Sequence, residues 1–396
     1  MTPALNLPAL VLSRIGSATV FMTYPACLPV LRDQWGMSAT EAGTVQGAFT
    51  IAFAVSLLLT SLLSDRIGAR TVFRWGAVLG AVTAIVFAAV ARDFQTALVT
   101  VTLVGLAQGG TYTPSLMLAS SNSPAENRSS VMGWTLAGLS GGFALSIAVS
   151  GAAMAVGGYV LAFWVTGLIT AASTLPAFVA VRHARDTTGP ATAQEDSATT
   201  MHDRRSARLL ILGYIGHTWE LMGAWAWVPA FLAMAAATQA SGISGLTLGL
   251  WTALALHVTG FFASFSAGRA ADRFGIRRVL IGFAVLGATC SLVIGWLPAW
   301  GAPLWLIFGL AALYGFATIG DSAVLSSAMS QAVPMRHLGK VLGLRSITGM
   351  GAGGVAPIAM GAVLDAVPGA AGWGYGFAVL GAGGALAVLC AALLRR

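Results

Sequence analysis

Charge is what this chain lacks. Only 9% of its 396 residues are Asp, Glu, Lys or Arg, against about 25% in a soluble domain, so it cannot cover a water-facing surface of ordinary composition. Cysteine is scarce as well: Cys27, Cys290 and Cys390 are odd in number, lie in apolar surroundings and show no metal-ligand spacing. That argues against a structural disulfide and leaves the three thiols to pack as small hydrophobes. There is no phosphate-binding loop, no metal-ligand cluster and no soluble stretch able to house a nucleotide, which speaks against an enzyme. No cofactor and no metal are expected. No cleavable signal is expected either, because Arg14 sits inside the first apolar segment rather than before it and no convincing small-residue cleavage site follows.

What is present is apolar surface: 57% of the residues are hydrophobic and 49 are glycine. Such a chain reads against lipid, where every backbone N–H and C=O must be paired internally and small residues let helix backbones approach closely. A window of about 19–20 apolar residues predicts twelve transmembrane helices, roughly 8–31, 42–64, 74–91, 96–120, 130–155, 159–181, 208–236, 246–268, 279–297, 303–328, 341–366 and 373–394. They are numbered below as spans 1–12. Residues 182–207, with Thr187-Thr188-Gly189-Pro190 and Gln194-Glu195-Asp196, form the one long hydrophilic segment and read as a linker. The expected organisation is an N-terminal six-helix bundle at 1–181, a cytoplasmic linker at 182–207 and a C-terminal six-helix bundle at 208–396.

Eighteen of the 21 basic residues fall in the loops after spans 2, 4, 6, 8 and 10, in the C-terminus or at a span edge (Arg74, Arg208 and Arg345). The positive-inside rule then places both termini in the cytoplasm of a multi-pass protein of the inner membrane. The net charge of +8 is an orientation signal, since the cations are scattered over short loops, and nucleic acid is not an expected partner.

The chain also repeats itself. Asp65-Arg66-Ile67-Gly68-Ala69-Arg70 returns 207 residues later as Asp272-Arg273-Phe274-Gly275-Ile276-Arg277. Ser123-Pro124 and Val333-Pro334 each lie nine residues before a glycine, Gly133 or Gly343, and Tyr24-Pro25 corresponds to Val228-Pro229. Two homologous halves are a common construction among secondary transporters.

Leu63-Ser64-Asp65-Arg66-Ile67-Gly68-Ala69-Arg70 resembles the loop 2–3 signature of the major facilitator superfamily, and Gly268-Arg269-Ala270-Ala271-Asp272-Arg273-Phe274-Gly275 resembles its loop 8–9 partner. Two departures occur: Ser61 stands where the signature has a leading glycine, and Ala69 and Ile276 replace a common basic residue. The resemblance covers essentially the whole chain. It implies an all-α membrane fold with two pseudo-symmetric six-helix bundles. It also implies a gating role for Asp65, Arg66, Gly68, Arg70, Asp272, Arg273, Gly275 and Arg277, each signature acid acting as a latch on a helix N-terminus of the opposite half. The other reading is that these are solvated loop charges that only set topology.

Ionisable groups inside spans are costly and are functional candidates. Arg14 (span 1), His217 and Glu220 (span 7), His257 (span 8) and Asp321 (span 10) stand clearly inside. Residues three and four apart share a helix face, so His217, Glu220 and Trp227 align on span 7, Arg14 and Tyr24 on span 1, Gln108 and Tyr112 on span 4, and Tyr314 and Asp321 on span 10. The repeat maps Arg14 onto Thr218 at an offset of 204 and Thr111 onto Asp321 at 210. By the resemblance these four spans line the substrate route. A carboxyl kept from water can take a proton on one side of the membrane and release it on the other. Glu220 or Asp321 would carry it, with His217 or His257 as relay. Arg14 would attract an anionic group of the substrate; the alternative is a purely structural Arg14–Glu220 salt bridge.

Subfamily marks exclude more than they identify. Gln108-Gly109 lacks an arginine three residues earlier, span 5 has Gly138, Gly141 and Gly142 but no Gly-Pro pair, and spans 2 and 8 offer Gln46 and His257 rather than central arginines. The expectation is a monomeric, proton-coupled secondary transporter of a small anionic solute working by alternating access, with protons, that solute and the lipid bilayer as partners. A facilitative uniporter and a transporter-like receptor or assembly protein without flux remain open.

Overall fold

The computed structural model describes residues 5–124, 127–186, 204–333 and 335–394. Most of the expected linker (187–203) and Pro334 of the second repeat pair fall outside them. Helices account for nearly all of the described residues, and every expected span carries helix. Span 1 is two helices, α1 (Leu7–Ala18) and α2 (Thr23–Gln34); spans 2–4 are α3 (Ala39–Ile67), α4 (Ala69–Val90) and α5 (Phe94–Ser121). Spans 5 and 6 share α6 (Arg128–Ala172), interrupted by non-helical Gly157 and Gly158, and end in α7 (Thr174–Ala180). Span 7 is α8 (Arg204–Thr238). Span 8 is α9 (Gly245–Ala253), a π-turn (Leu254–Val258) and α10 (Thr259–Phe274). Spans 9–12 are α11 (Ile276–Ile294), α12 (Leu304–Ala332), α13 (Met335–Ala366) and α14 (Ala370–Leu393). Among the described residues, nine helices are long and apolar enough to cross a membrane. The count is below twelve because α6 runs through two spans, span 8 is interrupted and α5 is diluted by Gln95, Gln108 and its threonines.

The break in span 1 has a local cause. Pro25 has no N–H, and its ring would clash with a helical carbonyl four residues earlier, at Phe21. The carbonyls freed there are covered by hydroxyls, as membrane depth demands. Thr19 Oγ1 donates to the Gly16 carbonyl (2.7 Å), Thr23 donates to that of Thr19 (2.9 Å), and Ser146 also donates to the Thr19 carbonyl. Pro229 occupies the matching place in α8, which continues through it.

Contacts gather the described residues into two compact units. The first holds the chain up to Gly36, the part from Ala48 to the linker, and Ile243–Ala253. Within it α4 packs on α5, and α1 lies on α6 where Gly138 and Gly142 leave room for Val11, Ile15 and Ala18. The second holds Met37–Gly47, α8 to Gly242, and the chain from Leu254 onward. Here α8 packs on α13, where Gly349 and Gly353 meet Tyr214, Thr218 and Met222, and also on α14. The units therefore differ from the sequence halves by one reciprocal exchange: the start of span 2 joins the second, and the start of span 8 joins the first. Large apolar side chains left exposed, such as Leu59, Trp75, Val99 and Leu389, suit a surface that meets lipid.

Candidate functional site

Both signature turns require glycine. Gly68 and Gly275 take φ +92° and +88° at the starts of α4 and α11, a region that side chains with a Cβ rarely enter. The last arginine of each copy then does the same job. Arg70 Nη2 donates to the Arg182 carbonyl (2.7 Å), and Arg277 Nη2 donates to the Ala392 carbonyl (2.6 Å). Each ties the turn to the end of the last helix of its own unit. Arg70 N–H also reaches Asp186 Oδ1 at 3.0 Å. Asp65 is half-buried and Asp272 exposed, as are Arg66 and Arg273. Among the described residues neither acid makes a hydrogen bond or ion pair.

In the first unit, α1 and α5 bring the polar side chains of spans 1 and 4 together. Arg14 is 2% exposed; its Nη1 donates to Thr111 Oγ1 at 2.9 Å, and its guanidinium lies 5.6 Å from the centre of the Tyr112 ring. The Thr111 hydroxyl sits 3.3 Å from Gln108 Oε1, and Gln108 Nε2 has no partner among the described residues. Beyond Tyr112 lie Phe53, Phe21, Phe49 and Phe143 in mutual ring contact. Tyr24 is buried in the first turn of α2.

The second unit repeats the arrangement with different chemistry. His217 Nδ1 lies 2.9 Å from Asp321 Oδ1, and its Nε2 is 3.0 Å from Ser322 Oγ. The contact to Asp321 is close enough for an ion pair but bent away from a straight hydrogen bond. Thr111 and Asp321 match in the repeat, and His217 is the neighbour of Arg14's match, Thr218. Equivalent places on spans 1 and 4 and on spans 7 and 10 are thus joined in each unit, once by a cation on a hydroxyl and once by a titratable pair.

Other expected residues go elsewhere. Glu220 is not drawn into the His217–Asp321 pair. It turns to α11 and α14, where a Cβ added to Gly287 or Gly384 would meet its carboxylate, and Tyr314 lies beside it. Oε1 of Glu220 has no hydrogen-bond partner among the described residues, while the Tyr314 hydroxyl is 3.2 Å from Ser291 Oγ. The single stripe expected on span 7 therefore divides: side chains three residues apart on a helix still point about 60° apart, enough for His217 to meet α12 while Glu220 meets α11 and α14. Trp227 is core: its Nε1 donates to the Pro357 carbonyl (3.0 Å) and its ring packs on Trp373. His257 lies in the π-turn, its ring 5.3 Å from that of Trp225; such turns recur at functional sites.

One further buried cation joins this group: Arg345, which the span limits place near the edge of span 11, is 8% exposed and stacks 4.1 Å above the Tyr214 ring, and that ring lies 5.7 Å from His217. Its position within the limits of span 11 was the available signal. A cavity of about 10 Å³, room for roughly one water, reaches Asp321. A larger one of about 890 Å³ opens at the second signature loop beside Asp272, Arg277 and Arg278, and the two share Leu210 and Leu394.

Residues 10–241 match the family model of the Major Facilitator Superfamily. A probable 4-methylmuconolactone transporter of Cupriavidus pinatubonensis (strain JMP 134 / LMG 1197) is 26% identical over 351 residues, covering 82% of this chain and 77% of the relative. Among solved structures, a bacterial homolog of the human lysosomal transporter Spinster, inward-facing and occupied, aligns with TM-score 0.76 at 15% identity over 98% of this chain and 94% of that one. The peptide transporter POT aligns at 0.77 and 13%, over 98% and 93%. The nucleoside transporter NupG aligns at 0.74 and 15%, over 98% and 100%. At these identities the structural likeness speaks for the fold alone.

Proposed function

The chain belongs to the Major Facilitator Superfamily, and from that premise we propose that this transporter moves a small organic anion with protons by alternating access. The observation that carries this reading is the matched pair of polar contacts. One unit holds a buried arginine whose partner is neutral Thr111, which leaves its charge for an anion. The other holds a histidine–carboxylate pair able to take up and release a proton. The shared wall of the two cavities supports Asp321 as the proton carrier.

The substrate class follows from the surroundings of Arg14 and from the relative. A muconolactone joins one carboxylate to a small unsaturated ring, which suits a guanidinium bordered by Tyr112 and a cluster of phenylalanines. The decisive experiment is uptake of labelled 4-methylmuconolactone and simple monocarboxylates by proteoliposomes with an imposed pH gradient. Accumulation above equilibrium, driven by an acidic outside, is the expected result. Uptake that only equilibrates would make this a uniporter. Absence of counterflow with every anion tried would defeat the transport reading of this site.

A further inference from the structure

Arg345 lies well inside α13 rather than at its end. Tyr214 is ten residues from the start of α8, Arg345 ten from the start of α13, and Asp321 eleven from the end of α12. At about 1.5 Å per residue all three lie about 15 Å in from the same end of the unit. The guanidinium is spread over the Tyr214 ring, and Nη2 donates to Ser326 Oγ at 3.2 Å. Nε and Nη1 make no hydrogen bond among the described residues. No carboxylate of those residues pairs with it either; Asp321, the nearest acid in this group, is engaged by His217.

A charge kept from water without a counter-ion is costly, and the fold does not require this one. The glycines that seat α6 on α1 (Gly138, Gly142) and α13 on α8 (Gly349, Gly353) set an offset of 211 between the units. That offset places Trp134, an exposed tryptophan, where the second unit has Arg345. One unit thus packs the same helix pair with no cation at this place.

We infer that Arg345, stacked on Tyr214, is a second anion contact on the transport path, used at a different stage of the cycle from Arg14, that takes the carboxylate of the substrate next to the His217–Asp321 pair. This deepens the organic-anion reading and rests on it. The planar guanidinium can keep its stacking while its free N–H groups donate to a carboxylate, which a lysine ammonium cannot do equally well. An anion held there adds negative charge beside Asp321, so anion and proton are favoured together.

The test is equilibrium binding to the purified full-length protein of 4-methylmuconolactone, benzoate and acetate, each beside its uncharged methyl ester. Wild type should bind at least one acid more tightly than its ester. Arg345→Gln should weaken that acid about tenfold or more while leaving the ester unchanged, and Arg345→Lys should fall between. Equal binding of the acid to wild type and Arg345→Gln overturns the inference and leaves the transport reading standing. Equal binding of acid and ester to wild type overturns it without any variant, should Arg345→Gln fail to fold. If wild type binds none of the acids, the organic-anion reading fails and takes this inference with it.

Discussion

Asp321 and Glu220 are both buried carboxylic acids, yet their neighbours give them different work. Asp321 has a histidine 2.9 Å away and a water-sized cavity beside it. Asp321→Asn keeps the shape and removes the titration, so it should abolish accumulation driven by a pH gradient while counterflow survives, as measured in the same vesicles. Glu220 instead fills a recess made by glycines of α11 and α14. Gly384→Leu should push into that carboxylate and cost about 1–3 kcal/mol of stability, the usual range for overpacking, read as a lower unfolding temperature in detergent. In the exposed loop before α5, the Thr96 N–H holds the Asp93 carboxyl below its ordinary range. That contribution is present above the ordinary carboxylate pKa of about 4 and disappears only as acid titrates the folded form. It therefore adds nothing to pH dependence between about 5 and 8. The identities of Arg14, His217, Glu220 and Asp321 as buried charges were legible, because lipid admits few such residues. Arg345 was not, since span edges are blurred by a few residues and only the packing of α13 on α8 fixes its depth.

At the scale of helices, the first turn of α3 shows how tightly small residues are used. Ser38 and Glu41 form a reciprocal capping pair. The Asp365 carboxylate takes the N–H groups of Ala39 and Thr40 at 2.7 and 2.8 Å and the Thr40 hydroxyl at 2.6 Å. Behind it Gly43 and Gly47 face Pro357 and Gly354, and Gly361 faces Ala39, with no room for a Cβ. Asp365→Ala should cost about 1 kcal/mol as the loss of a helix cap, less if water replaces it, and Gly361→Leu should cost more by forcing the helices apart; thermal unfolding ranks the two. The break in span 1 makes a separate prediction. Thr19→Val leaves the Gly16 carbonyl one donor short and should lower stability by about 1 kcal/mol. Periodicity announced these helices but not the break, because the same Pro placement leaves α8 unbroken and only the hydroxyls around Thr19 make an interruption tolerable.

At the scale of the molecule, the distribution of arginine makes a topological prediction. Reporters that fluoresce only in the cytoplasm should be active when fused after Leu394, and reporters that need the outer side should be active in the loop at Arg92. The opposite pattern would reverse the assigned orientation. The repeated Arg70 and Arg277 anchors should behave alike, each replacement by alanine loosening the end of the last helix in its own unit.

The order of the chain by itself determined the lipid-facing class, the positions of the spans, the duplicated plan and the short roster of buried charges. These follow from how few polar groups a bilayer accepts and from a written repeat. Which charges meet was decided only in three dimensions: His217 with Asp321, Glu220 apart from both, Arg345 over Tyr214, Asp365 on the start of α3. A helix presents its side chains around a full circle, and the rotation that selects among them is set by glycine notches on its neighbours, which no single segment encodes.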